Sequence, residues 1–524
     1  MIKEIQDIII LGGGTAGLVT ALTIRAKFPT VAIHLVRSQE VGIVGVGEGT
    51  TEHWKQFIEF VNIDPYEMIR KTDATAKIGV LFKDWNGPGH QYVHSVDATA
   101  NLSIMNRHDM FNLIESLSEY QNAGDNFELS PYFKKSFYPD RAPVTGNADW
   151  VNQYHFDTFK LNEYLVHKCK ERSIHIVNGT VKNVTQHQDG FIKGLVFDND
   201  IELEADFFFD CSGFKRVIAN KLGVKWIPAT QFLPMNKAIA FPTEHAHQDS
   251  YEPYTTATSL SAGWSWKIPT QQRYGNGYVF SDKFISSDEA LNELNKSLGT
   301  NVEEFAREIS FSAGHVEDFW NKNCICSGLA GSFAEPLEAQ SIGFSWIQAK
   351  AFIDLLEPWT AEQFYTEKKY NTTINAAWSN LVDFVQLHYY TERDDTPFWK
   401  AMKESILGAG DKYNKDGALR NIVPTLFNEH TKEMFSCGHV VPDFFSGGAH
   451  GYDRYVMFRS ASFYQVYSGL GLMNKKSIRD IISQNTEEYN TQLLNDLHRS
   501  SWVPPITTSH KKALELFLGA DNES

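Results

Sequence analysis

The chain has 524 residues, long enough for two or three structural units around more than one core. Hydrophobic residues make up 42% and charged residues 21%, and no apolar run reaches the roughly 18 residues that would span a bilayer. A net charge of −16 argues against nucleic acid and against anionic membrane surfaces as partners.

Met1-Ile2-Lys3-Glu4 runs straight into the first strand, which leaves no room for a signal peptide, so a cytoplasmic location is expected. The apolar run Ile8-Ile9-Ile10-Leu11 reads as a strand and Ala16 to Phe28 as a helix. Between them lies Gly12-x-Gly14-x-x-Gly17. In that setting Gly12 permits the tight turn, Gly14 lets backbone approach a pyrophosphate, and Gly17 lets helix pack on strand. The phosphates would sit on the helix N-terminus, where free N–H groups and the dipole favour an anion. Val31 to Val36 is the second parallel strand, but Arg37 follows it where an acid for ribose hydroxyls is common. Val41 to Thr50 is a glycine-rich strap, Thr51 to Val61 an amphipathic helix, and Asp64-Pro65 a helix start.

Phe156 to Arg172 has helical spacing. From Ile174 the period turns to strands, a meander expected to end at Asp210-Cys211-Ser212-Gly213-Phe214. An acid followed by a small residue and glycine can bring backbone against a ribityl–phosphate chain. That layout fits FAD better than NAD. Gln231 to Val316 reads as a second, mostly β region; Phe344 to Leu356 and Ala361 to Arg393 read as helices, and the C-terminal third as mostly helical with loops around Ser446-Gly447-Gly448. The five cysteines lack a metal-ligand spacing, and Cys324-x-Cys326 is read as a pair of small strand residues.

Three stretches carry candidate chemistry. Lys77 stands in the small, apolar run Ala74 to Trp85; desolvation would lower its pKa, whereas an ordinary lysine there would snorkel to the surface. Trp264 and Trp266 lie two apart, on one face of a strand, and read as a pair of core residues. In Gly331 to Phe344, Glu338 precedes a helix, either as an acid complementing the dipole or as a functional carboxylate, and the N–H groups of Gln340 and Ser341 could make an anion nest.

Taken together and in this order, these motifs resemble the flavin-dependent halogenases of the tryptophan-halogenase type. The resemblance covers most of the chain: G-G-G-T-A-G at Gly12, G-V-G-E-G-T at Gly45, the segment around Lys77, and Y-H-F-D at Tyr154. It continues through D-C-S-G-F at Asp210, W-S-W-K-I-P at Trp264, E-P-L-E at Glu335, D-T-P-F-W at Asp395 and G-L-G-L at Gly469. It implies an α/β fold: an FAD-binding dinucleotide fold with parallel sheet plus β-meander, joined to a β-sheet and helical substrate domain. FAD would occupy residues 1–225, completed by 320–360 and interrupted by an insertion near 95–150; the substrate region would comprise 226–319 and 361–524.

The resemblance also implies that FADH2 from a separate flavin reductase, O2 and a halide ion generate hypohalous acid. Lys77 would direct that acid, by hydrogen bond or as a haloamine, to one carbon of a small aromatic substrate, with Glu338 paired to Lys77 and assisting proton removal. FAD contacts would fall at Gly12, Gly14, Thr15, Ala16, Gly17, Val46, Gly47, Glu48, Val181, Leu329 and Ile342, halide contacts at Gln340 and Ser341, and substrate contacts at His94, Val96, Asp453, Met457 and Phe458. The two tryptophans would wall flavin from substrate. A homodimer is the candidate assembly.

Departures from the family pattern are informative. The halide turn reads Glu338-Ala339-Gln340-Ser341 where the family commonly has E-S-T-G, so a serine is lost and bromide or iodide becomes a competitor to chloride. The family's H-S-F segment is His94-Ser95-Val96. The stretch matching the amino-acid clamp of free-tryptophan enzymes reads Ser446-Gly447, Asp453 and Met457-Phe458, which argues for an indole-like or other electron-rich aromatic instead. Two rival readings share the flavin region: a flavin monooxygenase that hydroxylates an aromatic, and a non-catalytic flavin- or aromatic-binding protein.

Overall fold

Continuous apolar strands build the centre of the molecule. The computed structural model describes residues 5–38, 40, 48–77, 79–94, 153–245, 252–304, 307–356, 363–408 and 455–458, with a few isolated positions beyond. Asp7–Leu11 pairs in parallel with Ala32–Arg37 on one side and Phe207–Asp210 on the other. His175–Asn178 and Cys324–Cys326 extend this sheet in parallel, and Trp320–Asn321 closes one edge antiparallel. Strands buried on both faces read as unbroken apolar runs, as D-I-I-I-L and F-F-F-D do. The period of two sorts their side chains cleanly. Ile8 and Ile10 join the main core, whereas Ile9 and Leu11 join a second core with Val36 and Phe208.

Helices α1 (Thr15–Lys27), α2 (His53–Phe60), α3 (Pro65–Thr72) and α4 (Thr158–Glu171) cover the main-core side. Asp64 caps α3 by accepting from Tyr66 N at 2.9 Å, with Pro65 at its first position, and Asp157 caps α4 through Phe159 N and Lys160 N. The second core is closed by α5 (Val217–Leu222) and by the meander Val181–Gln186, Ile192–Phe197 and Glu202–Glu204. The meander is therefore shorter than expected, because His175–Asn178 and Phe207–Asp210 belong to the parallel sheet. The Asp210 carboxylate accepts from Ser212 N and Oγ, Ile218 N and Ala219 N, and so anchors α5.

A second sheet has seven strands in the order Arg307–Ser310, Lys237–Thr243, Tyr274–Phe280, Gly263–Pro269, Thr255–Leu260, Val80–Lys83 and Gln91–His94. Only Thr255–Leu260 with Val80–Lys83 is parallel. The region expected to be mostly β also holds α6 (Ser287–Leu298), whose capping box joins Ser286 and Glu289. Then come α7 (Gln340–Leu355), α8 (Gln363–Leu387) and α9 (Pro397–Gly408). Another small sheet pairs Gln153–Phe156 with both Glu48–Gly49 and Thr75–Lys77. Lys77 therefore ends the small sheet three residues before Val80 opens its strand of the large one.

The glycine turn fits a bound dinucleotide. Gly12 has φ +129°, and a Cβ there would overlap Cys211 O. A Cβ at Gly17 would overlap Gly12 O, so close packing of α1 on its strand requires glycine. Gly14 instead faces open space: no heavy atom lies within 4 Å of where its Cβ would be. It is the N-cap of α1 and offers no side-chain cap, which leaves the helix N-terminus open to an anion. Asn162 of α4 steadies the turn by donating to Gly13 O at 2.7 Å. Gly17→Ala is expected to cost about 1–3 kcal/mol through overpacking and to weaken FAD binding, read by denaturant unfolding and by flavin fluorescence titration.

Candidate active site

Two ionisable side chains lie buried at the junction of the sheets. Lys77 is 1% exposed and Glu338 is fully buried. Lys77 Nζ donates to Thr50 O at 2.8 Å. Burial pulls its pKa down to about 8, against the opposing pull of Glu338 and then Glu52. The alternative of a snorkelling surface lysine is excluded. A Cβ on Gly49 would lie 3.4 Å from Lys77 Nζ and 3.3 Å from Ala339 Cβ, so the strand Glu48–Gly49 runs between Lys77 and the turn that carries Glu338.

Glu338 is not in ion-pair contact with Lys77. Its two oxygens are taken by histidines instead: Oε2 meets His94 Nδ1 at 2.9 Å, and Oε1 meets His388 Nε2 at 2.8 Å. Burial alone would raise its pKa, but the attraction and hydrogen bonds of the two rings hold it down to about 2. Glu338 thus acts on Lys77 through space, and its first partners are imidazoles. It does not serve as a dipole-complementing first-turn acid.

Three residues earlier, Glu335 has the opposite fate. Burial pushes its carboxyl up to about 8 despite hydrogen bonds from Tyr389 OH and, at 3.2 Å, Trp264 Nε1. Glu335 also ties the turn to the tryptophan strand. Trp264 and Trp266 are both buried, with ring centroids 6.1 Å apart, on one face as their spacing predicts.

Helix α7 begins at Gln340, four residues earlier than its apolar pattern suggests. Its N-cap, Ala339, is left-handed (φ 54°) and gives no side-chain cap. The Gln340 side chain folds back, accepting from Glu338 N at 3.2 Å and donating to Glu335 O at 2.5 Å. Ser341 is half-buried in the first turn, and Ser341 O accepts from Ser345 Oγ.

His94 is fully buried at the sheet edge and faces Phe384 (5.0 Å) and Phe458 (6.2 Å). Phe384 stacks on Phe458 at 4.0 Å, and Met457 beside it is fully buried. Of the flavin residues, Gly12, Gly14, Thr15, Ala16 and Gly17 form the first turn, and the turn holding Leu329 abuts them: a Cβ at Gly328 would lie 2.5 Å from Ala16 Cβ. Ile342 is buried in the first turn of α7, and Val181 packs half-buried in the second core. Glu48 lies on the small-sheet strand beside Lys77. Arg37, where an acid was sought, lays its stem over Gly13. Val46, Gly47, Val96 and Asp453 lie outside the described residues.

Sequence reasoning missed His388, Tyr389 and Gln153. Gln153 is the strand partner of Lys77, is 1% exposed, and has no partner for either side-chain polar atom among the described residues. No cluster among the described residues could hold a metal, and no described helix is long and apolar enough to cross a membrane.

A flavin-type dinucleotide fold beside a buried lysine–glutamate site defines the class. The family model for tryptophan halogenases matches residues 7–483. A tryptophan 6-halogenase from Streptomyces albogriseolus is 30% identical over 503 residues, covering 91% of this chain and 92% of its own. A tryptophan 7-halogenase from Lentzea aerocolonigenes is 29% identical over 432 residues, covering 78% and 81%. The structure of the flavin-dependent halogenase BrvH from Brevundimonas sp. BAL3 superposes with TM-score 0.71 at 26% identity, over 98% of this chain and 99% of that one. A tryptophan 6-halogenase structure from Streptomyces toxytricini gives TM-score 0.78 at 23% identity, over 98% and 100%. This chain belongs to the tryptophan halogenase family of flavin-dependent halogenases, and it is an oxidoreductase.

Holding an ammonium in a dry interior costs stability. Lys77→Met is expected to raise stability by about 1–3 kcal/mol in denaturant unfolding while abolishing turnover.

Proposed function

We propose that this chain uses FADH2, O2 and halide to halogenate an electron-rich aromatic, indole-like substrate. The observation that carries the reading is the buried Lys77 cation facing an ionised Glu338 in a cluster walled by His94 and Phe458. Gly12, Gly14, Thr15, Ala16 and Gly17 would hold FAD, with Val46, Gly47, Glu48, Val181, Leu329 and Ile342 completing the cradle. When bound, reduced by a separate flavin reductase and met by O2 and halide, FAD supplies hypohalous acid. In this reading residues 1–225 with 320–360 hold the flavin, and 226–319 with 361–524 hold the substrate.

Lys77 then donates from Nζ to the oxygen of hypohalous acid and polarises the oxygen–halogen bond. Burial lowers the pKa of the amine, and Glu338 and then Glu52 partly oppose that, so both the hydrogen-bonding and the haloamine routes remain part of the reading. Trp264 and Trp266 keep the cofactor and aromatic compartments apart, so that oxygen insertion is suppressed. The halide nest is assigned to Gln340 and Ser341 at the uncapped start of α7. Ala339 replaces a polar residue there, which supports use of bromide or iodide as well as chloride. The apolar pair Met457-Phe458 supports a substrate without the ammonium and carboxylate of free tryptophan.

Incubation with FAD, a flavin reductase, NADH, bromide and a panel of indoles, phenols and tryptophan tests this by mass spectrometry. A bromine isotope pair on indoles, weak on tryptophan and abolished in Lys77→Ala with FAD binding intact, is expected. A gain of one oxygen would mean a monooxygenase, and no product a binding protein; either overturns the reading. With equal bromide and chloride, brominated product is expected to equal or exceed chlorinated product; clear chloride preference would contradict the halide assignment.

A further inference from the structure

We infer that His94, through Nε2, is the base that takes the proton from the halogenated ring carbon, with Glu338 and His388 orienting it. The inference rests on the halogenation reading and moves the proton acceptor from Glu338 to a different atom.

His388 Nδ1 faces Phe384 O at 2.9 Å and its Nε2 faces Glu338 Oε1 at 2.8 Å. Both neighbours are acceptors, so a ring serving both donates from both nitrogens. His94 differs. Its Nδ1 meets Glu338 Oε2 at 2.9 Å; with Nδ1 donating to that carboxylate, the lone pair of the unprotonated ring sits on Nε2. That atom is buried and has no partner among the described residues. These tautomers are assigned from the surrounding network.

Glu338, by contrast, has both oxygens engaged and no exposed surface. A carboxylate that fixes the Nδ1–H tautomer and stabilises a ring becoming charged is the logic of acid–histidine pairs in acyl transfer. Phe384 and Phe458 hold the ring from the sides.

The step balances. The oxygen–halogen bond of hypohalous acid breaks as the carbon–halogen bond forms, and the departing hydroxide takes a proton from Lys77 to leave as water. The ring C–H bond then breaks; its electron pair restores aromaticity, and its proton goes to His94 Nε2. Solvent exchange returns a proton to Lys77 and removes one from His94.

Competition between indole and indole deuterated at every ring carbon, with bromide, reads this step directly. His94→Asn keeps a donor for Glu338 but has no base at the Nε2 position. It is expected to bind FAD normally, to lose about a hundredfold in bromination, and to show a primary deuterium isotope effect that the unaltered enzyme lacks. Added imidazole is expected to restore rate and erase the effect. Bromination by His94→Asn at the normal rate without an isotope effect would overturn the inference. So would an isotope effect confined to Glu338→Gln. Absence of bromoindole from the unaltered enzyme would instead remove the halogenation reading itself.

Discussion

A single buried ammonium sets the terms for this site. Lys77 is buried at 1% exposure, and its hydrogen-bond partner is a backbone carbonyl, that of Thr50. Burial lowers its pKa to about 8, and Glu338 and then Glu52 oppose that shift. Glu338 in turn remains ionised in a dry interior because two imidazoles hold its oxygens. One requirement, a positive donor in a low-dielectric chamber, thus draws in residues from four separate stretches of chain. The same low dielectric makes each hydrogen bond stronger and each orphaned group more costly.

The scaffold meets that requirement by joining sheets. The small sheet ends at Lys77, the large sheet ends at His94, and the start of α7 delivers Glu338. Glu335, largely neutral at pH 7, links this turn to Trp264 and Tyr389 without adding another charge. The acidic pair at positions 335 and 338 therefore has divided roles, one proton-bearing and structural, the other ionised and electrostatic. Meanwhile the glycine turn and the Gly328–Ala330 turn converge on the N-terminus of α1, where a phosphate would rest.

Much of this was readable from residues in order. Unbroken apolar runs gave the parallel strands, and the glycine spacing gave their tight turn, because both signals are local. Lys77 and Glu338 stood out through motifs, as did the tryptophans at period two. The partners did not. His388 is 50 residues from Glu338 and His94 is 244 away, and nothing in one sequence links such positions. The expected Lys77–Glu338 contact failed for that reason: the histidines claim the carboxylate first. Helix α6 was overlooked although Ser286-x-x-Glu289 is a capping box, since strands on both sides dominated the pattern. Asp210 reads in sequence as the end of a meander, whereas it closes a strand of the parallel sheet, and four donors from the following turn and helix occupy its carboxylate.

The central claim is that Lys77 is a buried cation whose charge is governed by Glu338. The direct test is an NMR titration of the intact protein carrying 13C-labelled lysine, with the Lys77 signal assigned by its loss in Lys77→Met. A midpoint near 8 is expected. Glu338→Gln should move it lower still, because removing the carboxylate leaves desolvation less opposed. A midpoint at the ordinary lysine value of 10.5, unmoved by Glu338→Gln, would contradict the account.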